Sequence, residues 1–241
     1  AFYSLGSLTG ALSAGYFIKN ISDPKITFIT VGCLFIFSSF FILFKGLPLK
    51  LDVRERIRGF KFPEKKILIY GFMMMITFAT FGIIIDWSPL WLTKDLKAPI
   101  YLGGLIIIFF NLGEIFARLF SNKLISTFNE KIVGGYFSVF ASIVLAVSIM
   151  IFDIYIIVLC VILFGFGTAN FLGIVLREGV KSSKEPLSLT VSNLLTMGFS
   201  GFIFGPALVG YSAEYFGLTF NMLALCLIWF LNSCLLIYIK K

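Results

Sequence analysis

Eight apolar runs, each long enough to cross a bilayer, restrict the fold of this chain more severely than anything else in its sequence. They cover residues 1–18, 26–44, 67–93, 102–120, 132–151, 154–176, 187–211 and 216–239. A transmembrane helix needs ~17–25 residues. An unpaired backbone amide is prohibitive in hydrocarbon, so each run is expected to be a helix that satisfies its own hydrogen bonds. The in–out alternation of a membrane β-barrel is absent. Composition agrees: 59% of residues are hydrophobic, 13% are charged, and the mean hydropathy is +1.01. The expected fold class is an all-α membrane protein with eight transmembrane helices in this stretch.

The connections between the runs carry the charge. When loops are assigned alternately to two sides, one side receives only Lys19, Lys25, Lys94 and Lys97, which leaves 16 of the 20 Lys and Arg on the other. The positive-inside rule makes the richer side cytoplasmic, together with both chain ends, in a plasma or inner membrane. The net charge of +8 therefore reports topology and contact with the bilayer's anionic lipid. Nucleic acid is not an expected partner, because the basic residues are dispersed among membrane-proximal loops.

The one long connection, residues 45–66, separates two runs from six and reads as a cytoplasmic linker between membrane bundles. The expected division is 1–44 as the last two helices of an N-terminal bundle, 45–66 as the central loop and 67–241 as a C-terminal six-helix bundle. Ala1 already belongs to a helical pattern, with Gly6, Gly10 and Ala14 forming a small-residue stripe, so helices upstream are expected.

Chemistry must come from polar groups inside the spans. A charge at mid-membrane costs ~2.5–3.5 kcal/mol on insertion scales and therefore faces protein or a wet cavity. Asp86 stands in the third run beside Trp87 and Pro89, and the fourth holds Asn111, Glu114 and Arg118 on one helix face, with Glu N-terminal to Arg in the favourable order for an ion pair. The sixth contains the small-residue patch GFGTAN, residues 165–170, ending in Asn170. In the seventh, Asn193, Thr196 and Ser200 stripe one face, with Gly198, Gly201 and Gly205 set for close packing near Pro206. The four cysteines fall inside the runs without metal-ligand spacing, and the chain lacks histidine. No metal, cofactor or catalytic residue is therefore expected.

Three of these segments resemble the C-terminal half of major facilitator superfamily transporters, in particular a bacterial fucose permease-like branch with related sugar or drug transporter-like members. FGIIIDWSPLWL, residues 81–92, is similar to the branch's seventh helix through Gly82, Asp86, Trp87 and Ser88, with Phe81 where that motif has a Glu. ARLFSNKLISTFNEK, residues 117–131, resembles the motif joining the eighth and ninth helices through Arg118 and Lys123, and departs from it at Asn122, Ser126 and Thr127. GFSGFIFGPALVGYSAEYFG, residues 198–217, is similar to the eleventh helix through Gly205, Pro206, Gly210, Ala213 and Glu214. The resemblance implies helices five to twelve of a twelve-helix protein that works by alternating access, with the seventh, eighth, tenth and eleventh helices lining a central cavity.

The function expected from these residues is secondary active transport of a small solute, with protons as a candidate coupling ion. A transporter-fold sensor or receptor is the alternative, and a membrane-embedded enzyme a more distant one. The expected solute or ion pathway holds Asp86, Trp87, Asn111, Glu114, Asn170, Asn193 and Thr196. Pro89, Arg118, Gly205 and Pro206 are expected to act in gating. Asp86 lies about seven residues, or ~10 Å, from the outer end of its span, where a carboxylate that exchanges a proton would couple to an outer gate.

Overall fold

The structure, a computed structural model, describes residues 24–45 and 63–239 together with positions 6, 8–10, 12, 13 and 16. The expected first span, 1–18, and central loop, 45–66, therefore lie mostly outside the described residues. Regular structure among the described residues is helical throughout: α1 Pro24–Lys45, α2 Lys65–Lys94, α3 Leu105–Leu119, α4 Ser121–Lys131, α5 Phe137–Ile151, α6 Ile154–Thr168, α7 Phe171–Ser182, α8 Leu187–Phe216 and α9 Leu218–Ile239. The chain is an all-α membrane helix bundle.

Among the described residues five segments are both long and apolar enough to cross a membrane: Lys65–Lys94, Ser121–Ile151, Ile154–Ser182, Leu187–Phe216 and Leu218–Ile239. The expected span at 102–120 is instead the 15-residue helix α3. At 1.5 Å per residue its length is ~22 Å, and the backbone leaves helical geometry at Phe120 (φ −99°, ψ 9°) before α4 begins. α4 has no buried residue. Asn129, at φ 63°, forms an elbow whose side-chain oxygen accepts the Ile132 amide at 3.0 Å. A π-helical turn, Ile132–Tyr136, then leads into α5.

Local chemistry explains the tight connections α5–α6 and α8–α9. Phe152 takes the left-handed conformation that ends α5, and the Asp153 carboxylate accepts the amides of Tyr155 and Ile156 to cap α6. Between α8 and α9 a single residue, Gly217 at φ 79°, reverses the chain.

Two helix pairs dominate the packing, α2 against α8 and α3 against α6, while α5 packs between α6 and α9. Glycines set both close crossings. A Cβ on Gly201 would stand 2.0 Å from the Met75 carbonyl oxygen on α2, and one on Gly113 would stand 2.1 Å from the Ile162 carbonyl oxygen on α6. Lipid tails are as apolar as the helices, so close backbone contact and interhelical hydrogen bonds supply what the hydrophobic effect supplies in water. The core between the pairs is aromatic: Trp229 of α9 is fully buried against Phe81, Phe164 and Phe171.

Candidate solute pathway and charged crossing

The α3/α6 crossing is glycine against backbone from both directions. Besides Gly113, a Cβ on Gly165 would lie 2.2 Å from the Phe110 carbonyl oxygen. Beside this contact sits Glu114, 1% exposed, whose Oε1 accepts from Arg118 Nη2 at 2.6 Å. The pair follows from the four-residue spacing. Burial gives it a different weight from a surface pair, because losing either partner leaves a charge without compensation in low dielectric. Asn111, 3% exposed, turns its amide onto its own helix and donates to the Ile107 carbonyl at 2.7 Å.

At the end of the bundle that carries Lys65, Lys131 and Lys181, which we call the basic end, Arg118 lines a cavity of about 280 Å³ together with Ser121, Asn170 and Arg177. Arg177 is ion-paired with Glu130, which joins α7 to α4.

Among the described residues the α2/α8 crossing carries no ion pair. Gly205 packs on Ala79, Gly82 faces Phe202 and Pro206, and Trp87 Nε1 donates to the Pro206 carbonyl at 3.0 Å. Pro89 and Pro206 both lie inside their helices without ending them. Asp86 is exposed on the bundle, about one helical turn from Ile83, which lines an apolar groove of about 620 Å³ between α2, α8 and α9. Thr196 is exposed on α8, and Asn193 is half-buried with its amide nitrogen lacking a partner.

The residues singled out in the sequence thus fall into three places. Asn111, Glu114, Arg118 and Asn170 gather around α3, α6 and α7. Trp87, Gly205 and Pro206 meet at the α2/α8 contact. Asp86 and Thr196 face away from the bundle.

One cluster has no clear sequence signal. Asp95, at the end of α2, accepts both the amide and the hydroxyl of Thr219 at 2.9 and 2.7 Å, and Trp91 Nε1 donates to the same hydroxyl at 2.9 Å. A carboxylate 124 positions away thereby caps α9, a pairing that only tertiary packing creates. Arg177 could be counted in the sequence as a topological charge, but its partner Glu130 could not be read. Among the described residues no group of three Cys, Asp or Glu side chains converges as a metal site requires.

Comparison with known proteins agrees with the helical architecture. The chain is 25% identical over 173 residues to an uncharacterized MFS-type transporter of Yersinia pestis, a match covering 70% of this chain and 44% of that protein. This chain resembles an MFS-type transporter. It is also 22% identical over 176 residues to the membrane protein MosC of Rhizobium meliloti, covering 73% of this chain and 43% of that one. No family model matches. The chain spans less than half the length of these MFS-type and membrane relatives, and both matches agree with a membrane-embedded chain.

Proposed function

We propose that this chain is part of a secondary active transporter that moves a small solute by alternating access, coupled to protons, in the cytoplasmic membrane. The observation that carries this reading is the Glu114–Arg118 pair, buried at a glycine-mediated helix crossing in a chain similar to an MFS-type transporter. A buried ion pair is a poor source of net stability. One that forms in a single state of a cycle biases the balance between states.

In this reading residues 1–44 are the last helices of one bundle, 45–66 the cytoplasmic linker and 67–241 the second bundle, with both ends of the chain cytoplasmic. The solute pathway runs past Asn111, Glu114, Asn170, Asn193 and Thr196. Trp87, Pro89, Gly205 and Pro206 form the hinge region at α2/α8, and Arg118 holds the basic end. Asp86, exposed on this bundle, serves as the coupling carboxylate by facing the rest of the protein. Placement in the fucose permease-like branch rests on Gly82, Asp86, Trp87 and Ser88 alone.

The test is transport in liposomes containing the full-length protein, with an imposed pH gradient and a panel of sugars and amphipathic drugs. Gradient-driven accumulation of one solute is expected, and Asp86→Asn should preserve folding while uncoupling uptake from the gradient. Absence of flux across the panel, with the protein folded and inserted, would count against transport. Unchanged gradient-driven uptake by Asp86→Asn would remove Asp86 from coupling. Arg118→Ala should change accessibility of single-cysteine probes at the two ends of the bundle more than it lowers folded yield.

A further inference from the structure

The span Ile154–Ser182 is interrupted at residues 169–170. The Ala169 amide still donates to Gly165, and the Ile174 amide donates to the Asn170 carbonyl at the start of the 12-residue helix α7, whose N-terminus faces this interruption. Asn170 occupies the cap position with φ −90° and ψ −10°, and its side chain does not cap the helix. It is 8% exposed, lines the 280 Å³ cavity, and has no side-chain hydrogen-bond partner among the described residues. Two guanidinium groups, Arg118 and Arg177, and the Ser121 hydroxyl line the same space. A Cβ on Gly173 would meet nothing within 4 Å, which marks that wall as open.

We propose that this interruption is a binding site for a phosphate-type oxyanion, either the free ion or a lipid phosphodiester. The N-terminus of a helix carries partial positive charge and suits an oxyanion. The Asn170 amide adds N–H donors without the repulsion that an Asp cap would bring, and a guanidinium presents forked N–H donors that match phosphate oxygens. Two carboxylates already lie on these cations, Glu114 on Arg118 and Glu130 on Arg177. Arg177 has five N–H donors, more than one carboxylate occupies. The carboxylates set the affinity low, in the range where a phosphate concentration or a local lipid headgroup matters.

The full-length protein, in detergent free of anionic lipid, is titrated with inorganic phosphate at constant ionic strength, with chloride as the control salt. The unfolding midpoint of the wild type should rise saturably, by about 2 °C at tenfold excess over Kd. Gly173→Leu fills the cavity from its open wall and leaves every charged group in place. Its own midpoint should match the wild type without phosphate, and its phosphate response should vanish. Asn170→Leu provides an independent variant should Gly173→Leu fail to fold.

If phosphate has no effect, nanodiscs of phosphatidylglycerol are compared with nanodiscs of phosphatidylcholine. Stabilisation by the anionic lipid that is lost in the variants assigns the site to a lipid phosphodiester. Equal behaviour of wild type and variants toward both probes overturns the proposal. Transport is not read in these measurements, so their failure leaves the proposed function untouched.

Discussion

The crossings α2/α8 and α3/α6 use the same device, a glycine facing a carbonyl, yet they differ in what surrounds it. At α2/α8 the neighbours are methionine, phenylalanine and alanine, and the long-range polar link is one indole hydrogen bond, from Trp87 to Pro206. At α3/α6 the glycines on both helices face backbone, and a buried ion pair stands beside them. The first crossing meets backbone at Gly201 and Gly205 but side chains at Gly71, Gly82 and Gly198, so it adjusts along part of its length. The second holds charge at membrane depth within a contact that leaves no room to adjust, so a rearrangement there must move whole helices or break the pair.

The largest effect should follow from adding a methyl group where backbone is the obstacle. Gly113→Ala and Gly165→Ala each place a Cβ about 2 Å from a carbonyl oxygen, and the strain should cost about 3 kcal/mol or more. Monodisperse yield and unfolding midpoint of the full-length protein read this directly. Gly201→Ala meets the same obstacle on the other crossing and should lose as much. Tolerance of all three variants would show that these helices do not touch backbone to backbone.

Next in size is the ion pair. Glu114→Ala removes the carboxylate paired with a guanidinium that is 19% exposed beside an apolar crossing, at a cost of about 2 kcal/mol. Adding Arg118→Ala to that variant should restore part of the loss, because the two side chains are coupled. Strict additivity in the double-mutant cycle would erase the distinction between a charged and an uncharged crossing.

A smaller loss is expected from Trp87→Phe, which removes the hydrogen bond to Pro206 and keeps most of the ring, at about 1 kcal/mol. Its midpoint should fall by less than that of Glu114→Ala. The smallest effect belongs to Gly71→Ala. The atoms in its way are the thioether end of Met197, which rotates readily, and alanine is the better helix former. Its stability should stay within about 0.5 kcal/mol of wild type, and a loss as large as that of Gly201→Ala would mean that α2/α8 is as unyielding where it meets side chains as where it meets backbone.

Of the candidate site, the Glu114–Arg118 pair was legible because helical spacing fixes an i, i+4 contact regardless of the rest of the fold. Gly201 and Gly205 were legible as packing positions for a related reason: small residues in a membrane helix mark where backbones meet. Gly113 was not, because a single glycine in an apolar run carries no indication of its partner. The association of Asn170 with Arg118 and Arg177 depends on how α3, α4 and α7 converge, and the exposure of Asp86 depends on which face of α2 its neighbours leave open.

By itself the sequence determined that the chain is helical and membrane-embedded, and roughly where its helices lie. The run at 67–93 became Lys65–Lys94, and that at 216–239 became Leu218–Ile239. Hydropathy and the need to satisfy backbone amides in lipid fix those features one segment at a time. Tertiary structure alone decided which face of each helix is buried, where Ile154–Ser182 breaks, and that Asp95 caps α9. In water, polarity separates the inner face of a helix from the outer one. In a bilayer both faces are apolar, so burial follows from shape and from backbone contact between helices distant in the chain.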